Sequence, residues 1–164
     1  MELTNHPFPG SEGGTIIMTK IKDIISKPSQ ALKAMIDGLR EQDARQDFKI
    51  DMGTYGWVDP GKVCYGCAAT CAVQKVTGIN LDIASISLEN QAHRLGVEES
   101  DLDDFQTAID TARSGSMAEL FNYFGIFLDD MSQWDYRWCL LTDTWKEEIY
   151  FVEAVIAEMI EAGY

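Results

Sequence analysis

Three cysteines within eight residues, Cys64-Tyr65-Gly66-Cys67-Ala68-Ala69-Thr70-Cys71, are the pattern in this 164-residue chain most open to a chemical reading. A fourth, Cys139, stands alone. If one helix carries the cluster, offsets of three and seven put all three sulfurs on a single stripe. Zinc requires four ligands, with sulfur about 2.3 Å from the ion. Cys64 and Cys71 would lie about 10 Å apart along a regular helix, so one ion cannot easily bind both. One ion could take Cys64 with Cys67, or Cys67 with Cys71, and would need Cys139, His6, His93 or carboxylates for the rest; the metal candidates are thus Cys64, Cys67, Cys71 and Cys139, but a second CxxC pair is missing. A redox reading takes Cys64 and Cys67 as CxxC, which needs a helix N-terminus or cations to lower the thiol pKa. Lys62 is the one favourable neighbour. The bland alternative treats cysteine as a small hydrophobe, one of the most buried residue types. Gly66, Ala68, Ala69 and Ala72 are equally small, so the residue types favour packing over chemistry.

The other candidates are sparser. His6 falls in an irregular start and His93 near a helix end, where a positive group suits the dipole; nothing in the sequence brings a nucleophile to either. Phosphate-loop, dinucleotide, zinc-protease and nucleophile-elbow motifs are all missing. Asp129, Asp130, Trp134, Asp135, Tyr136 and Arg137 form an acidic aromatic loop. Its oxygen spacing does not match a calcium loop. Aromatic residues and arginine are enriched at interface hot spots, so these six are the candidate binding residues. The competing reading makes Trp134 and Trp138 core anchors of the loop.

Charge supports binding. The formal net charge is −14. Residues 1–75 hold nine acids and nine lysines or arginines, whereas residues 76–164 hold 18 acids against Arg94, Arg113, Arg137 and Lys146. A field of that sign repels nucleic acid and anionic membrane and favours a basic protein surface. A solvated face that aids solubility would carry the same charge. The sequence therefore reads as a small acidic binding protein without cofactor, more a docking factor than an enzyme, of the inhibitor or immunity type. The alternative is a thiol-redox or metal protein built on the cysteine helix. No secretory leader pattern or membrane-length apolar run is visible, and the cysteines lack a disulfide framework, which points to the cytoplasm.

These residues need elements to hold them. Residues 1–17 carry two prolines and three glycines without period and read as a flexible arm; Met18 opens the regular sequence and is a second possible start. Residues 18–164 read as one domain, with 46% hydrophobic residues to form its core. A short helix is expected over 18–26, and a longer one from Pro28 to Ala44 with Leu32, Met35, Ile36 and Leu39 inward. Residues 48–52 alternate and suggest a short extended segment, and 53–61 read as a loop. Asp59-Pro60 looks like a helix opening, which predicts a central small-residue helix over 60–77 ended by Gly78. Helices are further predicted over 87–95, over 100–113 with Leu102, Phe105, Ile109 and Ala112 inward and Arg113 suiting its C-terminal end, from a Ser116–Glu119 capping box through Phe127, and over 144–162 with Trp145, Ile149, Val152, Ile156, Met159 and Ile160 inward. The expected fold is all-α, with about six helices around helix 60–77.

Overall fold

The computed structural model describes residues 19–59, 63–81, 87–135 and 141–164; the expected arm, Cys139, Tyr136 and Arg137 lie outside them. Helix α1 (Pro28–Asp43) starts at its proline and buries Leu32, Met35, Ile36 and Leu39, the face its spacing predicts. The segment before it is shorter than expected, a single 3-10 turn over Ile21–Asp23. Thr19 pairs with Val97, and the Ile21 N–H donates to the buried Asp101 carboxylate at 2.5 Å. The Tyr123 hydroxyl donates to the other Asp101 oxygen at 2.9 Å, so both oxygens of this buried acid are satisfied.

The expectation of an all-α fold is overturned. Strands β1 (Phe48–Ile50), β2 (Trp57–Asp59) and β3 (Val63–Gly66) form a mixed sheet in the order β1-β3-β2. β1 runs parallel to β3, with Phe48 opposite Cys64, and β2 runs antiparallel to it, with Val58 opposite Cys64. The extended segment near 48–52 is thus a strand of three residues. Residues 57–59, expected in a loop, are another, and the expected helix over 60–77 is divided.

Physical reasons for the division lie in the residues. Trp57, Val58, Val63 and Tyr65 prefer a pleated surface, and Gly66 is a poor helix former. Val63-Cys64-Tyr65-Gly66 alternates between partly exposed and buried positions, the period of a strand. A Cβ on Gly66 would lie 2.6 Å from Thr70 Cγ2 and 2.9 Å from Phe48 Cζ, so glycine is required where the strand turns into the helix. Helix α2 (Ala68–Thr77) begins only after Cys67 and ends at Gly78, whose φ of 78° supplies the left-handed stop. This shorter helix is the central one. Eight of its residues are buried, and it packs on α1, on β3 and on α4 (Glu99–Arg113).

The remaining helices are α3 (Leu88–Arg94), α5 (Ala118–Tyr123), α6 (Ser132–Asp135) and α7 (Trp145–Glu161). Seven α-helices therefore occur among the described residues. Ser87 caps α3 by accepting the Asn90 N–H at 3.1 Å. The predicted Ser116–Glu119 box does not close the start of α5. Its first residue is Ala118, and the Met117 N–H donates instead to Asp135 Oδ1 at 2.8 Å. α5 stops before Phe124, because Gly125 turns the chain at φ 76°, and Phe127 is left exposed. α7 buries Trp145, Ile149, Val152, Val155, Ile156 and Met159 and packs on α1, but Ile160, expected inward, is exposed. Among the described residues no helix is long and apolar enough to cross a membrane.

Candidate functional site

The cysteines do not share a helical stripe. Cys64 lies on β3, Cys67 is the N-cap of α2, and Cys71 sits in that helix; all three are buried. Cys64 Sγ donates to the Leu81 carbonyl at 3.7 Å. Cys67 lies within a small polar cluster. Thr70 Oγ1 accepts the N–H of Gly56 at 2.9 Å and of Cys67 at 3.3 Å, and is 3.6 Å from Cys67 Sγ. Burial pushes the Cys67 thiol up, and burial pushes the Cys71 thiol well up, with the neighbouring Cys67 adding to it. A thiol needs the opposite shift to act as a nucleophile or metal ligand at neutral pH. Position at a helix N-terminus does not rescue Cys67, because desolvation is the larger influence. No group of three or more His, Cys, Asp and Glu side chains able to hold a metal occurs among the described residues. Cys139 lies outside them.

Beside Cys67 is a set of residues that pattern reading missed. Arg113 Nε donates to Asp110 Oδ1 at 2.9 Å, and its other nitrogens donate to the carbonyls of Leu141 and Met52 at 3.1 and 3.0 Å. Sequence suggested only a helix-end charge at Arg113. It is in fact a clamp holding two distant loops against α4. Tyr55 stands next to Asp110, and partial burial together with that carboxylate pushes its hydroxyl up to about 12. The pair of partners recruited at Arg113, 61 and 28 residues away, leaves no local signal in the sequence.

In the described part of the acidic aromatic loop, the aromatic residue is turned inward. Trp134 is 2% exposed. Its ring lies 6.2 Å from Phe121 and 6.3 Å from Tyr164, so it anchors α6 to the core and is not an exposed docking residue. Asp135 is engaged at Met117. Asp129 and Asp130 are at the surface. The backbone N–H and hydroxyl of Ser132 hold the Asp130 carboxyl below its usual range. The described part of the loop thus offers two surface acids, Asp129 and Asp130, with the aromatic anchor turned inward. Tyr136 and Arg137 lie outside the described residues.

Among the described residues, exposed apolar side chains gather on the sheet and on α7. On the outer side of the sheet, Trp57, 49% exposed, stacks on Tyr65 with ring centres 5.6 Å apart, next to Lys49 in register. On α7, Tyr150 and Phe151 are exposed on the side away from the core. A cleft of about 480 Å³ between β1 and the start of α7 is lined by Asp43, Phe48, Lys49, Asp143, Trp145 and Lys146, with no cysteine in it. No family model matches the chain, and no curated protein or solved structure matches it either.

Proposed function

We propose that this chain is a docking protein that binds a basic protein partner in the cytoplasm, as an inhibitor or immunity-type factor would. The observation that carries this reading is where the acids stand. Of the acids described in residues 76–164, Asp101 alone is buried; the others are at least partly exposed. Two of the four cations of that part are already engaged, Arg113 with Asp110 and Lys146 with Asp43. An exposed excess of one sign raises the encounter rate with a partner of the opposite sign. The thiol alternative gains no such support, since Cys67 and Cys71 are buried with raised pKa values.

The test isolates the partner from the native cell and measures both rate constants. Screening shortens to about 8 Å at physiological ionic strength, so the association rate should fall as salt rises. Asp129→Asn with Asp130→Asn should slow association in low salt and leave dissociation nearly unchanged. A partner with an acidic surface, or association indifferent to salt, would remove the electrostatic reading.

A further inference from the structure

We propose that the outer face of α7 is the docking surface of this protein and that its occupant is a basic amphipathic helix of the partner. The inference rests on the binding function proposed above and gives it a place.

α7 carries apolar residues on two sides, the outer ones bordered by the partly exposed Glu153 and Glu158. Its inner face is accounted for by the core, where Trp145, Ile149, Val152, Val155, Ile156 and Met159 are buried. Its outer face has no such account. Tyr150 is 69% exposed, Phe151 55% and Ile160 60%, and Ala154 and Ala157 between them are exposed too. Tyr150, Ala154 and Ala157 follow at spacings of four and three, so they form one line along the helix. Phe151 and Ile160 flank that line on either side. A solvated helix face would carry polar residues here. Small residues in the middle let another backbone approach, and the aromatic pair at one end offers the anchor that interfaces favour.

The charge around this strip selects the occupant. α7 holds five glutamates against one lysine. Glu147 and Glu161 are exposed at the two ends of the line Tyr150–Ala154–Ala157. Lys146 is drawn to Asp43 at 3.0 Å and does not offset them. An apolar line ended by acids is complementary to a helix with an apolar stripe flanked by Lys or Arg, the groove-binding mode of amphipathic peptides. A second copy of this chain would bring like charges together. In an antiparallel α7 pair, Glu147 would approach Glu161 of the other copy, and each chain carries −14 overall. An anionic lipid surface is repelled by the same field.

The experiment uses the full chain and two synthetic 18-residue helical peptides of the same Leu stripe, one with Lys and one with Glu on its polar face. Binding is read by fluorescence titration at low and high salt, and the contact residues by amide chemical-shift changes. The Lys peptide should bind, should weaken as salt rises, and should shift residues along 147–161. Ala154→Arg with Ala157→Arg, or Tyr150→Ser with Phe151→Ser as a gentler pair, should weaken it at least about tenfold. Circular dichroism checks that each variant keeps its fold. A Lys peptide that binds unchanged to a folded variant, or shifts residues elsewhere, overturns the α7 assignment and leaves the basic-partner reading standing. If neither peptide binds, α7 docking and its basic occupant both fail, while a salt-dependent complex with a basic protein captured as above would still support the broader reading. Equal binding of the Glu peptide overturns the charge argument. A dimer of the unmodified chain, abolished by the same variants, makes a second copy the occupant and overturns the proposal.

Discussion

Cys67 and Cys71 are four residues apart, both buried and both with thiols pushed up, yet their backbone positions differ. Cys67 has extended dihedrals at the head of α2, whereas Cys71 is inside the helix and its backbone carbonyl faces α1. Serine at an N-cap accepts an N–H of the first turn, which is worth about 0.5–2 kcal/mol. Within the core it brings a hydroxyl that costs about 1–3 kcal/mol when poorly paired. Both replacements bury a hydroxyl, but the one at Cys67 recovers a cap bond, so Cys71→Ser should destabilise the protein by about 1 kcal/mol more than Cys67→Ser, the worth of that cap. Urea unfolding of both variants measures it; equal losses would mean that the cap contributes nothing. The same thiols predict an alkaline limit. Their folded pKa values lie above the ordinary 9.0, and Tyr55 lies at about 12 against 10.0. For an acid with a raised folded pKa, the unfolded chain loses its proton first. The stability contributed is complete below the unfolded pKa and is lost as pH rises through the folded one. The urea midpoint should thus begin to fall near pH 9 and continue downward toward pH 12, and the fall should begin later when Cys67 and Cys71 are both replaced by Ala. A midpoint independent of pH from 8 to 11 would show that ionised thiols are tolerated in place.

Helices α1 and α2 meet so closely that a Cβ on Gly38 would come 2.7 Å from the Cys71 carbonyl carbon. In an open helix, replacing glycine with alanine gains about 1 kcal/mol. Here the obstacle is backbone, so α1 must move, and overpacking of this kind costs about 1–3 kcal/mol. Gly38→Ala should lower stability; a rise in melting temperature would mean the two helices separate freely. This contact leaves no signal in the sequence, since no local pattern records which glycine meets another helix. The faces of α1, α4 and most of α7 are legible there, because each repeats an apolar spacing over several turns. Residues 57–66 are not, because their strands are three and four residues long and Asp59-Pro60 mimics a helix cap. Strands so short give too few alternations to outweigh a cap signal. The candidate site divided in the same way. Acidity at Asp129 and Asp130 was visible, whereas Trp134, Asp135 and Arg113 owe their roles to partners far along the chain.

Across the whole molecule, two electrostatic effects oppose one another. Attractive pairs exist: Arg40 with Glu153, Lys75 with Glu41, Lys33 with Asp37, and Lys146 with Asp43. Most of these side chains are well exposed, and such pairs are each worth about 0–1 kcal/mol. Against them stands the repulsion of a −14 chain whose excess lies wholly in residues 76–164. Folding brings those acids closer together than the unfolded chain holds them, so repulsion weighs against the compact state. Salt weakens both effects. The screening length falls from about 30 Å at 0.01 M to about 8 Å at 0.15 M. Pairs at 3 Å lie well inside either length, whereas repulsion between acids on different elements acts over the distances that salt cuts off. Repulsion should lose more, and the melting temperature should rise between these two salt concentrations. A gain of about 1 kcal/mol would appear as about 2–4 °C for a chain of this size. Calorimetry in sodium chloride measures it, with sodium perchlorate as a control because it screens equally but does not strengthen apolar burial. A rise in both salts supports relief of repulsion; a fall in both would show that the ion pairs outweigh the excess charge. If a basic partner docks as proposed, it would act by the same physics as added salt: it would neutralise the acids of one face, and the bound protein should melt higher than the free one by a margin that shrinks as salt is added.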